Sequence, residues 1–221
     1  MEHISKRIYL KNTLLILIPS FVLFSIILWL YYLLEVNSEK RICYVGASNV
    51  VEHQRLRTAS NFDLIVADLQ FFANYSQIVA LLTDPMYDMD RLKNDFALFS
   101  RGAKIYDQVR IIDSSGMEII RVNFSNKNGP VIVNGTHLQN KKDRYYFKDT
   151  YELQKNEIFI SPLDLNIEHG EIERPFKPMI RFGTPIFGKN GTKCGIIIFN
   201  YLADFLLNDI RKIQETTSGK S

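Results

Sequence analysis

The chain has 221 residues, 46% of them hydrophobic and 23% charged, enough for one domain with a sizeable core plus added elements. Its net charge is +3, and Lys6, Arg7 and Lys11, less Glu2, supply most of it. The remainder carries no basic surface of the kind nucleic acid requires, and two distant cysteines, Cys43 and Cys194, do not make a disulfide scaffold.

The first predicted element is a membrane helix over residues 12–34, a run without a charged side chain and dominated by Leu, Ile, Val and Phe. About 20 such residues cross the hydrocarbon core, and Pro19 is tolerated there. Trp29, Tyr31 and Tyr32 cluster at the far end, where amphipathic rings favour the headgroups. The positive flank before the run predicts a cytoplasmic N-terminus over residues 1–11. A cleaved signal peptide would have an apolar stretch of about 7–15 residues and a small-x-small site, and none follows Leu34 closely. The length and flanks also oppose a wholly buried globular helix.

A juxtamembrane stalk helix is expected over residues 35–60. Two apolar stripes, Phe62, Ile65, Leu69, Phe72, Val79 and Leu64, Phe71, Tyr75, Ile78, Leu82, predict one long helix from about Ser48 to Leu82, ended by Asp84-Pro85. Asp88 caps a second helix reaching Arg101, with Gly102 after its end. Ile105–Ile112 and Met117–Phe124 form a hairpin around Asp113-Ser114-Ser115-Gly116. A polar loop (Ser125 to Gly135), a short helix near Tyr146 to Leu153 and a short strand at Glu157 to Ser161 come next. Pro178–Phe187 and Lys193–Tyr201 form a second hairpin around Asn190-Gly191. Leu202, Phe205, Leu206, Ile210 and Ile213 step like a last helix. The pattern is α+β, with an antiparallel sheet of about five strands between helices.

Chemistry-bearing motifs are few. Gly183 to Asn190 imitates a phosphate-binding loop but lacks its final Ser or Thr and its following helix, so it is read as a chance match. His3, His53, His137 and His169 pair with nothing at ligand spacing. The acidic cluster Glu168, Glu171, Glu173 around His169 could attract a cation, but a charged loop of this kind is read as solvated. Cys194 falls inside an apolar strand, where inert burial is the default. Sequons begin at Asn74, Asn123, Asn134 and Asn190, where roughly two are expected by chance, and little follows from them. The remaining unusual segment is Asp143-Arg144-Tyr145-Tyr146-Phe147. Arginine can grip a carboxylate in bidentate fashion while the rings wall a pocket, or it can simply lie over aromatics at the surface.

Several stretches together carry a resemblance: Tyr106 to Asp113 with Gly116, Arg121-Val122-Asn123, Arg144 to Phe147, Ser161 to Asn166, Lys177 to Phe182, and Gly195 to Tyr201. In order and spacing the chain resembles the extracytoplasmic double Cache sensors, PAS-like domains of bacterial histidine kinases, diguanylate cyclases and chemoreceptors, from about Ser48 to Ile210. The resemblance implies the membrane-distal half of a double module, with the sensor domain over residues 61–207 and a C-terminal helix and tail over 208–221. In amino-acid-binding relatives an Arg-x-Trp-Tyr motif holds the ligand carboxylate. Arg144, Tyr146 and Phe147 fall on its three named positions, Tyr replacing Trp and Phe replacing Tyr with loss of a hydroxyl. Asp164 corresponds to a downstream acid, and Arg110 and Arg181 join the implied ligand-binding set from the matching strands.

The expectation is a single-pass inner-membrane sensor, its domain in the periplasm or outside the cell, binding a small molecule such as a carboxylate. Homodimerisation is expected, without nucleic acid, metal or cofactor. Cys43 stands at the base of the stalk, where parallel copies would meet. Enzymatic activity is not expected of this chain. Any kinase or cyclase would lie in a C-terminal portion beyond Ser221, the chain being the first part of a longer receptor or a truncated product. The other classes are a ligand-independent, membrane-tethered interaction module that dimerises or binds another receptor and, with no visible nucleophile–base pair, an extracytoplasmic hydrolase.

Overall fold

The computed structural model describes residues 2–84, 86–168, 171–208 and 211. Contacts divide the chain into residues 1–53 and residues 54–221. Helix α1 (Glu2–Ala73) supplies the first unit and opens the second. Every side chain from Leu15 to Glu35 is exposed, and this is the one described stretch long and apolar enough to cross a membrane. The hydroxyls of Ser20 and Ser25 donate to the carbonyls of Ile16 and Phe21, each at 2.9 Å, so neither is left unmet in an apolar surround. Cys43 is exposed on the same helix.

The second unit is an α+β domain. Helices α2 (Ser76–Thr83) and α3 (Met89–Ala103) follow α1, and α4 (Tyr145–Glu152) lies between strands. The strands are β1 (Tyr106–Asp113), β2 (Glu118–Ser125), β3 (Gly129–Ile132), β4 (Phe159–Ile160), β5 (Asp164–Leu165), β6 (Ile167–Glu168), β7 (Glu171–Ile172), β8 (Pro178–Phe187) and β9 (Lys193–Leu202). The main sheet has order β3-β2-β1-β9-β8-β4, with β5 also paired to β8, and every pairing is antiparallel. Strands β6 and β7 form a separate hairpin.

Several expectations shift. The sheet has seven strands rather than about five, because three short edge strands join the four long ones. The expected helix to Leu82 is interrupted: α1 ends at Ala73, the Asn74 side chain folds back onto the Gln70 carbonyl at 2.8 Å, and α2 restarts at Ser76. Helix α3 runs past Gly102 to Ala103, and Lys104 takes the left-handed cap at φ 59°. The acidic loop is the β6–β7 hairpin, and His169 lies outside the described residues. Cys194 is half-buried rather than enclosed. Residues 204–208 are helical, whereas most of the expected C-terminal helix and tail falls outside the described residues.

The core lies between one face of the sheet and the helices. Ile65, Leu69 and Phe72 of α1, Ile78 of α2 and Leu92 and Phe96 of α3 pack on Val109, Ile111, Ile120, Val122, Phe182, Ile197 and Phe199. The Tyr106 hydroxyl donates to Asp68 Oδ2 at 2.7 Å, tying β1 to α1. Burial first, and then the Asp68 carboxylate, push this phenol far above its ordinary range, so it stays a donor.

Candidate functional site

Strand alternation sends every second residue to the opposite face, and register arranges these in rows. One row reads Asn123, Gln108, Asn200, Arg181 across β2, β1, β9 and β8. The next reads Arg121, Arg110, Ile198, Gly183. The one after has Ile112 and Ile196, and there a second small cluster forms with Tyr146 and Phe147 of α4. This face therefore grades from polar to apolar, and α4 covers its apolar end.

The polar rows are buried and bonded. Arg110 and Arg181 are each 1% exposed, and burying a guanidinium requires a partner. Arg110 Nε lies 3.5 Å from Glu118, whose other oxygen is 3.2 Å from Arg121 Nη1 and accepts the Gln139 amide at 3.0 Å. Arg110 also donates to the Tyr146 hydroxyl at 3.0 Å and to Gln108 Oε1, which accepts from Asn200 Nδ2 at 3.0 Å. Arg181 pairs with Asp164, donates to Asn166 Oδ1 at 3.2 Å, and stands 5.1 Å from the Tyr146 ring centroid. The Tyr145 hydroxyl donates to Asp164 at 2.6 Å, and burial, helped by that bond, raises its pKa.

Arg144 is the N-cap of α4 and is half-buried, its guanidinium 5.8 Å from the same Tyr146 ring. Three arginines thus surround one tyrosine. Arg110 and Arg181 have carboxylate partners; Arg144 has none among the described residues. The far end of α4 is held by Lys193, whose ammonium donates to the carbonyls of Leu153, at 2.8 Å, and Tyr151. This holds the helix end, satisfying the carbonyls of Tyr151 and of the C-cap Leu153.

Beyond the polar row a cleft of about 390 Å³ opens beside β1, β2 and β3. Asp107, Gln108, Arg121, Asn123, Glu173 and Lys177 supply its polar walls. Lys177 Nζ bridges Glu173 at 2.7 Å and Asp107 at 3.1 Å. Burial pushes the Asp107 carboxyl above the usual carboxylate range, and the Lys177 ammonium opposes this only in part. Burial alone would lower the Lys177 pKa, but its bonds to Glu173 and Asp107 outweigh that and raise it.

The structure brings Arg110, Tyr146, Arg181 and Asp164 together and sets Arg144 at their edge. Phe147 is buried in the apolar cluster, stacked on Tyr151 with ring centroids 5.5 Å apart. Residues to which sequence reasoning gave no place in the site are Glu118, which it did not name, and Gln108, Asn200, Tyr145, Asp107 and Lys177, which it named only within longer stretches. The signal for some of them was polar residues at alternate positions of otherwise apolar strands. The phosphate-loop lookalike is strand β8 followed by a turn and a second strand. Among the described residues no three metal-ligating side chains cluster.

An antiparallel sheet with helices on one face and a polar array under a short helix on the other is the architecture of a Cache-like domain. The chain belongs to the bacterial histidine kinase sensor-domain family, whose model matches residues 58–212. Three solved structures share the fold. One, named for histidine kinase vpHK1S-Z8, is an extracellular domain 24% identical at a TM-score of 0.60, over 72% of this chain and 60% of that one. The second is a domain of a sensory box/GGDEF family protein from Vibrio parahaemolyticus, 24% identical at a TM-score of 0.61, over 72% of this chain and 63% of that one. The third, the extracellular domain named for histidine kinase soHK1S-Z6, is 16% identical at a TM-score of 0.61, over 77% and 64%. The chain therefore spans less than two thirds of the length of these structures. A comparison with curated proteins gave no match.

Proposed function

We propose that the chain is the anchored, membrane-distal half of a double Cache receptor of the histidine kinase or diguanylate cyclase type. In this reading residues 12–34 cross the inner membrane from a cytoplasmic segment 1–11. Residues 35–60 form a stalk, residues 61–207 sense outside the cytoplasm, and residues 208–221 lead towards the output. The receptor acts as a homodimer, and catalysis belongs to the output portion. The observation that carries ligand binding is Arg144, the one arginine at Tyr146 without a carboxylate partner among the described residues. It receives an anionic group, such as a carboxylate, while Tyr146 and Phe147 form the wall and the paired Arg110, Arg181 and Asp164 hold the frame. A ligand acts only through its differential affinity for two arrangements of the domain.

The full chain in detergent should gain thermal stability from its ligand in a screen of amino acids, dicarboxylates and short-chain acids. At about 100 times the dissociation constant, binding contributes about 2.7 kcal/mol. That is a midpoint shift of about 5–10 °C for a domain of this size. Arg144→Ala should abolish the shift while leaving the unliganded midpoint nearly unchanged. A binder whose shift survives Arg144→Ala removes this residue from the site. Circular dichroism is the suitable signal, since the single tryptophan, Trp29, lies in the anchor.

The topology is tested separately. A reporter active only in the cytoplasm, fused after Ser221, should stay silent; activity there would reverse the orientation.

A further inference from the structure

A small organic anion that reaches Arg144 brings a carbon frame with it, and the groups around Tyr146 decide what that frame can carry. Arg144, the N-cap of α4, is only half-buried, so solvent and solutes still reach part of it.

The carboxylates paired with the neighbouring arginines are already committed. Glu118 is fully buried, with one oxygen 3.5 Å from Arg110 and the other 3.2 Å from Arg121, the latter also accepting the Gln139 amide. Asp164 pairs with Arg181 through one oxygen and accepts the Tyr145 hydroxyl through the other at 2.6 Å. Asp143, next to Arg144 in the chain, is fully exposed and lies 3.9 Å from Lys148. Asp107 and Glu173 share Lys177 in the neighbouring cleft. An ammonium carried by the ligand must therefore compete for a carboxylate that another cation holds.

The other acceptors nearby are taken as well. The Lys141 carbonyl accepts the Arg144 amide at 2.9 Å, and the Arg144 carbonyl accepts those of Phe147 and Lys148 at 3.0 and 3.2 Å. The Tyr146 ring could attract a cation, but Arg181 and Arg144 already stand 5.1 and 5.8 Å from its centroid, and its hydroxyl accepts from Arg110 at 3.0 Å. An ammonium placed there would join three guanidiniums.

We propose, resting on the reading of Arg144 as the anion site, that the ligand is an organic acid without an ammonium group. The zwitterionic amino acid with the same carbon skeleton is rejected by like-charge repulsion, which is stronger in a partly buried array than in water.

The test uses the full chain in detergent and four pairs of probes that differ only in the ammonium group. These are propionate and L-alanine, 4-methylpentanoate and L-leucine, succinate and L-aspartate, and glutarate and L-glutamate. Unfolding midpoints are followed at one pH and one ionic strength, so that screening is equal throughout. The expected result is a saturable rise with at least one acid, half-complete at a concentration about tenfold or more below that of its amino partner. Arg144→Ala should abolish that rise. An amino acid acting within tenfold of its partner's concentration, or below it, through a response that Arg144→Ala abolishes overturns the ammonium-free ligand while leaving the anion site in place. A response that survives Arg144→Ala, or none from any of the eight probes, removes the anion site itself and the proposal with it.

Discussion

Replacing Glu118 by alanine is expected to lower the unfolding midpoint by about 6–20 °C. The Glu118 side chain is fully buried and lies against two arginines, Arg110 at 3.5 Å and Arg121 at 3.2 Å, themselves 2% and 7% exposed. It also accepts the Gln139 amide, fixing the segment that leads towards α4. Removing one partner of a buried ion pair costs about 3–5 kcal/mol, mostly because the remaining charge is stranded. Here two charges are stranded, and each kcal/mol moves the midpoint by about 2–4 °C. Glu118→Gln keeps the shape and some hydrogen bonding but not the charge, and should fall between. Circular dichroism melts of the full chain provide the measurement. A drop below about 3 °C for the alanine variant would mean that the arginines find other counter-charges.

A second large loss is expected from Gly195→Ala. Gly195 lies on β9 opposite Asp113 of β1, and a β-carbon there would run into the Ile112 carbonyl oxygen and approach the Asp113 Cα to 3.1 Å. Backbone cannot rotate aside as a side chain can, so the central β1–β9 pairing must part. Overpacking costs about 1–3 kcal/mol, and this site belongs at the upper end, a fall of about 6–12 °C. Gly102→Ala is the matched control. It lies inside α3 with nothing within 4 Å, so the better helix former should add about 0.5–1 kcal/mol. Equal responses at the two positions would show that crowding at Gly195 is not the cause.

The long elements were legible because periodicity reports burial on one face. The stripe through Ile65, Leu69 and Phe72 and the alternation in β1, β2, β8 and β9 are direct consequences of packing. Strand β3 was not legible, since Gly129 and Pro130 read as loop. An edge strand accepts proline because one side of its backbone needs no partner. The break after Ala73 was hidden because apolar spacing carries on through it. Arg110, Arg181, Asp164 and Tyr146 were expected in the polar array, but its other members were missed for a different reason. Alternation assigns Gln108, Arg121, Asn123 and Asn200 to the face away from the apolar core, but it cannot say what else covers that face. Glu118 shows the limit most clearly. A glutamate at the start of a strand reads as solvent-facing, and only the register that sets Ile112 opposite it places it beside Arg110.

The sheet separates two environments by the thickness of a single chain. Along β1, Arg110 belongs to the polar array while Val109 and Ile111, its covalent neighbours, sit in the core with Leu69 and Phe72 of α1. Any tilt imposed on the arginine is therefore also a tilt of the two hydrophobic residues, without an intervening contact to relay it. A close-packed interior has little slack in which to absorb such a displacement. The sheet is then expected to act as a diaphragm, carrying a load on one side to the helix on the other through the stiffness of the backbone itself.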